Sequence, residues 1–440
     1  MKDLVIPFPE LADQIFTHLE DGQCVSLTGL SNSGKSALMR SLASPIALER
    51  CQKARGSAGV MVYVDCNRAV AISAQAFYEV VIRSILERVG EELPESLANA
   101  LRDYHQSITE AANAFSASLS FNLALTDLCE GFNQNICLLL DEFDEIYAAL
   151  DDRALLNLRA LCDCFSDRLV LVTATVRELK ALRGREFADE FAELFIHSTY
   201  PLPALKDEEI DVLLAGLQLP FLDEERRKLC KEFGGGHQGL IYAAAQALGN
   251  ASHNRQEDPF QLVVREPQPR AESLKIWNQL TDSEQQALTS LVLEQDAGLP
   301  KHQLSALERI GMIRNGQIFS PIFEDFVARR VRRPDIASEG VHLDSDSGDV
   351  WVDGIRIPVL TDLEFKLLNL LYERMDKVTD KYRIVTAVWG EAYLGDVDDA
   401  RVEKLVSRLR SKIESDPSNP RYLVTLRGRG YKLLSHAVTV

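Results

Sequence analysis

Two short stretches carry residue types that do chemistry. Gly29-Leu30-Ser31-Asn32-Ser33-Gly34-Lys35-Ser36 fits G-x-x-x-x-G-K-[ST], the spacing of a loop that wraps a phosphate. The glycines let the backbone curve. Amides of Gly29, Ser31, Asn32, Ser33 and Gly34, followed by Lys35, Ser36 and Ala37 at a helix start, then point at the anion. Lys35 supplies an ammonium for the β- and γ-phosphates, and Ser36 a hydroxyl for Mg²⁺. The flanks agree: Cys24–Thr28 reads as a short buried strand and Ala37–Leu42 as a helix. The loop is expected to bind ATP or ADP.

The second stretch is Ile136-Cys137-Leu138-Leu139-Leu140-Asp141-Glu142, an apolar strand ending in two carboxylates about a hundred residues downstream. In open α/β sheets ligands bind outside the carboxyl ends of the strands. Asp141 is therefore expected to hold Mg²⁺, directly or through water, and Glu142 to polarise an attacking water. Asp144 and Glu145 read as a solvated helix start. Leu169–Thr175 is a third buried strand ending in hydroxyls. Thr173 or Thr175 is a candidate to reach the γ-phosphate, and Arg177 to sense its charge; strand-end polarity and a surface arginine are the plain alternatives. Arg183 and Arg185 are further candidates, as arginine fingers across a subunit boundary.

These groups need a scaffold, and the composition supplies one. The 440 residues are 46 % hydrophobic, enough for two to four ordinary cores. Val60–Asp65 reads as another buried strand, Phe77–Val89 as an amphipathic helix, and residues 95–130 as helical with small residues for close packing. Leu194–Thr199 is read as a last strand. The eight cysteines include no C-x-x-C pair, which points to reduced thiols in a cytoplasmic protein. No apolar run reaches the length of a membrane span. Net charge is −18, yet residues 401–440 hold nine basic and three acidic side chains, a net of +6. The local basic patch is what bears on nucleic acid.

Further on come Tyr200-Pro201-Leu202-Pro203-Ala204-Leu205, an acidic helix start at Asp207-Glu208-Glu209, and Gly234-Gly235-Gly236-His237-Gln238-Gly239 before a helix. With the phosphate loop, LLLDE and VTATVRE, these segments make residues 5–255 resemble the AAA-related STAND ATPases. The resemblance implies that Pro201 or Pro203 lies against adenine and that His237 sits near the nucleotide. Gln238 stands where the family motif has proline.

Asn250–Arg270 is polar and proline-bearing and reads as a linker. Thr281-Asp282-Ser283-Glu284 offers a capping box. Leu304–Ile310 reads as a helix, and Met312–Phe319 as a hairpin turning at Asn315-Gly316, together an inner winged helix that packs more than it reads DNA. Thr361-Asp362-Leu363-Glu364 repeats the capping box after residues 341–359, which alternate as small strands. On the helix from Asp399, Val402, Val406, Leu409 and Ile413 share one face. Arg401, Lys404, Arg408 and Lys412 share another, within roughly an 80° arc, a cationic ladder suited to a major groove. Tyr422–Leu426, Arg427-Gly428-Arg429-Gly430 and Tyr431–Leu434 read as a wing with arginines at its turn.

Residues 341–436 resemble the OmpR/PhoB-type winged-helix domain through LTDLEFKLLNLL, AVWGE and DDARVEKLVSRLRSKIESDPSNPRYLVTLRGRGYKL. That resemblance implies that Arg401, Lys404 and Arg408 face DNA, with Thr425, Arg427 and Arg429 in the wing. The expected fold is multidomain α/β plus α+β: a P-loop NTPase parallel sheet in residues 1–200, a helical lid in 201–255, a linker in 256–272, an inner winged helix in 273–335, and the terminal winged helix in 341–436. The expected function is an ATP-dependent switch with double-stranded DNA as partner and self-association in the ATP state. A DNA-activated ATPase of a defence or mobile element, or a nucleotide-dependent scaffold for proteins, are the alternatives.

Overall fold

The computed structural model describes residues 6–45, 47, 59–183, 190–217, 219, 221–250, 258–292, 301–314, 316–331, 340–344, 348–353, 355–357, 360–390, 399–414, 416–426 and 428–435. Two compact units divide the chain: Met1–Leu291 with Gln295–Glu324, and Val292–Glu294 with Asp325–Val440.

The first unit is organised by a parallel sheet of β1 (Val25–Thr28), β2 (Gly59–Asp65), β3 (Asn135–Asp141), β4 (Leu169–Thr175) and β5 (Thr199–Pro201), in the order β2-β3-β4-β1-β5. β4 is buried along its whole length, and β3 everywhere but Asn135. Parallel strands covered on both faces have to be apolar throughout, which is why these runs were readable as strands. β5 is shorter than the sequence reading. It begins at Thr199 because Leu194, Phe195 and Ile196 instead bond back to Phe191, Ala192 and Glu193, closing tight turns after the Glu190–Glu193 helix. Phe191 and Phe195 then meet edge to face in the core.

Helices Ala74–Val89, Glu95–Thr109 and Ala114–Gly131 lie between β2 and β3 in sequence, so residues 95–130 are helical as expected. The last of them buries Ala117, Phe121, Ala124, Leu125 and Leu128. The residues expected to form a lid hold helices Asp207–Ala215, Glu224–Gly234 and Gln238–Asn250. The linker assigned to residues 256–272 is corrected by the structure, which forms helices Pro259–Arg265 and Pro267–Asn278 there. Each proline occupies the first turn, where a missing N–H breaks no helical bond, and Asp258 caps the first helix through the Phe260 amide. Residues 251–257 lie outside the described residues. Helix Asp282–Val292, helix Lys301–Arg309 and the antiparallel pair β6 (Ile313–Arg314) and β7 (Gln317–Ile318) follow. Asn315 of the expected Asn-Gly turn is outside the described residues.

The second unit holds β8 (Val341–Leu343), β9 (Val350–Val352) and β10 (Ile355–Arg356) as an antiparallel sheet, helices Asp362–Glu373, Lys381–Val388 and Asp399–Ile413, and the hairpin of β11 (Leu423–Leu426) and β12 (Gly430–Leu433). Leu367, Leu371, Val385, Val406, Leu409 and Leu423 share its core. Gly430, at φ 123°, lets the hairpin approach the chain at Thr379, with which Tyr431 exchanges two backbone bonds of 2.8 and 3.0 Å; a Cβ there would lie 2.2 Å from the Thr379 oxygen. No described helix is long and apolar enough to cross a membrane, and the described cysteines are all unbridged.

One buried carboxylate docks the hairpin. Glu414 accepts the amides of Arg421, Tyr422 and Leu423 at 2.8, 2.9 and 2.7 Å. Arg410 completes the joint through the Leu423 carbonyl and the Thr425 hydroxyl. Glu414→Ala leaves these amides without that acceptor and should lower the stability of the second unit by about 2–4 kcal/mol. Urea unfolding followed through Trp351 and Trp389, with Trp277 reporting on the first unit, would show it; an unmoved midpoint would contradict this role.

Candidate functional site

β1, β3 and β4 end side by side, and the phosphate loop, the paired carboxylates and Arg177 project from those ends. Lys35 is 3 % exposed. Its Nζ donates to the carbonyls of Gly29 at 2.5 Å and Leu30 at 3.0 Å, closing the loop on itself. Burial lowers the pKa of the ammonium, and Glu142, Asp144 and Asp141 pull it back up. Gly34 has φ 116°, a left-handed backbone conformation that favours glycine whatever the space around it.

Both oxygens of Asp141 are engaged. Oδ1 accepts the Glu142 amide at 3.1 Å and Oδ2 the Tyr63 hydroxyl at 2.7 Å. Glu142 takes φ 53°, a left-handed conformation unusual for a side-chain-bearing residue. Burial raises its pKa while Lys35 works against the rise. Burial likewise raises that of Tyr63, joined by the bond to Asp141. A cavity of about 320 Å³ opens here, lined by Lys35, Ser36, Ala37, Arg40, Glu142 and Tyr242.

The loop is also clasped by residues from the start of helix Gln238–Asn250 and beyond. His237 Nε2 donates to the Ser31 carbonyl at 3.0 Å while Nδ1 accepts the Leu240 amide. Burial pushes the imidazole down to about 4, so it is neutral at pH 7. The Gly239 amide donates to the Asn32 carbonyl, and Asn32 Nδ2 donates to Glu272 at 2.7 Å. The Ser31 amide, expected to face phosphate, donates to Gln279 Oε1 at 2.9 Å. Arg177 donates to Glu284 at 2.9 and 2.5 Å and to the Gln279 carbonyl at 2.8 Å. Burial pushes the Glu284 carboxyl up, but the bonds from Arg177 and Thr281 outweigh it and hold it below its ordinary value.

The predicted site residues thus fall on two sides of the loop. Asn32, Gly34, Lys35, Ser36, Ala37 and Glu142 border the smaller cavity. Gly29, Ser33, Arg177, Pro201 and His237 border a second one of about 730 Å³. Thr175 is fully buried and its hydroxyl donates to the Arg177 carbonyl at 2.6 Å, so it shapes the strand end and does not open onto the loop. Thr173 likewise bonds to Ser26. Arg183 is also corrected: its guanidinium is tied to the Leu150 carbonyl and Asp152 over the Tyr147 ring, which makes it part of the packing. Arg185 is outside the described residues.

In the second unit Arg401, Lys404 and Arg408 are exposed on the Asp399–Ile413 helix, as is Arg429 in the hairpin turn; Arg427 is outside the described residues. Lys412 departs from the ladder. Its Nζ pairs with the buried Glu364 at 2.7 Å and so braces one helix against another. Thr425 is exposed, and its hydroxyl accepts from Arg410.

Residues 10–172 match the family described as AAA ATPase domain, and residues 358–433 match Transcriptional regulatory protein, C terminal. The chain joins an AAA ATPase domain to an OmpR/PhoB-type C-terminal domain. The sensory transduction protein RegX3 of Mycobacterium bovis, like that of Mycobacterium tuberculosis, is 43 % identical over 98 residues, 22 % of this chain. The match spans 42 % of the length of those relatives. A structure of the Aeropyrum pernix ORC2 protein in ADPNP–ADP complexes covers 75 % of this chain and 95 % of its own, at 15 % identity and TM-score 0.46. The Klebsiella pneumoniae RstA DNA-binding domain in complex with the RstA box covers 23 % and 97 %, at 25 % identity and TM-score 0.21.

Around this site, Tyr63, Arg40, Glu272 and Gln279 carry no sequence signal, since none of them stands in a motif. Glu284 was legible as a capping residue, and its amide partner Thr281 bonds it as expected at 2.7 Å; its second role toward Arg177 carried no sequence signal.

His237 gives this site a pH signature. Its folded pKa of about 4 lies below the unfolded value near 6.5, so the unfolded chain binds the proton first. The stabilisation from its neutral form is complete above pH 6.5 and is lost as pH falls toward 4, amounting to about 3 kcal/mol. Comparing urea midpoints of the wild type and His237→Gln across that window should show the loss only in the wild type; parallel curves would exclude it.

Proposed function

We propose that the chain is a nucleotide-controlled DNA-binding regulator of STAND type, in which ATP and Mg²⁺ occupy the P-loop edge and set the availability of the terminal domain for double-stranded DNA. Its working parts would be a core at 1–200, a lid at 201–255, a connecting stretch at 256–272, an inner winged helix at 273–335 and a reader at 341–436, with the helix Pro267–Asn278 running from the connecting stretch into the inner winged helix. One observation carries the reading: the Ser31 amide and Arg177, two groups suited to phosphate, are both held by the segment from Gln279 to Glu284. Phosphate and this segment compete for the same donors. A ligand shifts such an equilibrium by its differential affinity for the two arrangements.

The donor set fits the nucleotide. Loop amides and Lys35 would take the phosphates, with Lys35 exchanging its two loop carbonyls for phosphate oxygens. Among the described residues no cluster of three or more His, Cys, Asp and Glu could hold a metal. Ser36, at the start of the loop helix, and Asp141, at the end of β3, would hold Mg²⁺ together with phosphate oxygens, as this cation commonly binds. When bound, the cation would neutralise charge between the phosphates. Glu142, half-buried and beside Lys35, would accept a proton from water in a slow turnover that resets the switch. Pro201 and His237, bordering the larger cavity, remain candidates for nucleotide contact.

In the OmpR/PhoB-type domain, Arg401, Lys404 and Arg408 would meet the duplex, with Thr425, Arg427 and Arg429 in the wing; Lys412 would reach DNA only by leaving Glu364. Self-association in the ATP state would multiply these contacts by avidity.

Changing Arg401, Lys404 and Arg408 together to alanine should weaken duplex binding by about 10²-fold at low salt and flatten the log–log salt slope by about 2–3. Anisotropy with a mixed-sequence duplex would measure both, and an unchanged slope would remove these residues from the interface. For the front half, Lys35→Ala should abolish binding of ATP, whereas Glu142→Gln should retain it and slow hydrolysis by about 10²-fold or more. Equal turnover by all three proteins would refute the assignment.

A further inference from the structure

Tyr63 stands on β2, and the parallel register sets it beside Leu139, with Asp65 beside Asp141 at the strand ends. From there its hydroxyl reaches along the neighbouring strand and donates to Asp141 Oδ2 at 2.7 Å. The same hydroxyl oxygen accepts from Arg40 Nη1 at 3.2 Å, and the Arg40 guanidinium lies 5.8 Å from the centre of the Tyr63 ring. Arg40 belongs to the helix Lys35–Leu42 that follows the phosphate loop, and it lines the cavity shared by Lys35, Ser36 and Glu142. A continuous chain of donors therefore runs from the loop helix through a phenol to the carboxylate at the end of β3.

We propose that Tyr63 is the positioning residue for Asp141, and that the Arg40–Tyr63–Asp141 chain tunes how tightly the P-loop edge holds the divalent cation accompanying the nucleotide. This rests on the nucleotide site proposed above and adds the element that orients its metal-holding carboxylate. The physical argument is rotational. Asp141 has one amide on Oδ1 and one hydroxyl on Oδ2, and the two donors fix the carboxylate plane. Removing the hydroxyl frees one oxygen to turn about the side-chain bond, so the group must be re-ordered each time a cation arrives. Outer partners of this kind orient ligands and change metal affinity without touching the metal. Arg40 polarises the phenol and ties it to the loop helix, so its removal should act in the same direction and more weakly.

The test uses the full chain with a fluorescent N-methylanthraniloyl derivative of ADP, comparing wild type, Tyr63→Phe and Arg40→Ala. The first measurement is affinity in EDTA; the second is the Mg²⁺ concentration that half-maximally slows probe release. Tyr63→Phe should keep its metal-free affinity within about 2-fold and raise the Mg²⁺ midpoint by about 10-fold, with Arg40→Ala raising it by about 3-fold. A merely structural defect would weaken the metal-free affinity as well. A folded Tyr63→Phe protein with an unchanged Mg²⁺ midpoint overturns the proposal while leaving the nucleotide site intact. If Tyr63→Phe does not fold, Arg40→Ala decides through the Mg²⁺ midpoint alone, since Arg40 also lines the cavity and its loss can lower metal-free affinity: an unchanged midpoint overturns the proposal. Failure of the wild type to retain the probe under any condition overturns the nucleotide reading, and this proposal with it.

Discussion

An ammonium enclosed by the carbonyls of its own loop is the constraint on which the front unit depends. Lys35 is buried, and a buried charge is tolerated only where opposite charge or dipoles face it. Gly29 and Leu30 supply the dipoles and the ends of β3 supply the carboxylates. That requirement fixes which strand ends must lie at one edge of the sheet. β1 has to deliver the loop, and β3 has to end in acids at the same edge. β4 lies between them in the sheet. The apolar length of β3 and β4 follows, because a central parallel strand has no wet face.

The two units solve a second problem in the same way. A helix start buried in a fold leaves orphan amides, and a Thr-x-x-Glu box satisfies two of them reciprocally, one on the Thr hydroxyl and one on the Glu carboxylate. In each unit that carboxylate also takes a distant cation: Glu284 takes Arg177, and Glu364 takes Lys412. In both, burial works against the charge and the gathered donors outweigh it. In the front unit the partner is a residue from the end of β4, so a helix cap doubles as a hold on the nucleotide edge. In the terminal unit the partner comes from the Asp399–Ile413 helix, so the cap braces the helix that carries Arg401, Lys404 and Arg408.

Much of this was legible as letters. The strands at 60–65, 136–141 and 169–175, the loop at 29–36, both capping boxes and the apolar face of Val402, Val406, Leu409 and Ile413 were all readable, because each is a local pattern with a local cause. The stretch 256–272 is helical where its composition reads as an irregular linker, for an instructive reason. Prolines in a polar stretch read as breakers, but Pro259 and Pro267 stand in first turns, where they begin helices. Lys412 shared the angular sector of the ladder yet folds inward, because helical spacing gives the direction of a Cβ and says nothing of what the end of a long side chain meets.

The sequence by itself determined that a phosphate loop, an acidic strand end and a basic helix exist, since motif spacing and hydrophobic period are properties of neighbouring residues. Only the tertiary structure decided which of their polar groups face open space. Ser31, Thr175, Arg177 and Lys412 all turned out to be engaged by partners between 2 and 248 positions away. Hydrogen bonds and ion pairs act over about 3 Å in space. That distance is settled by how the elements pack, and most of the partners concerned lie far off along the chain.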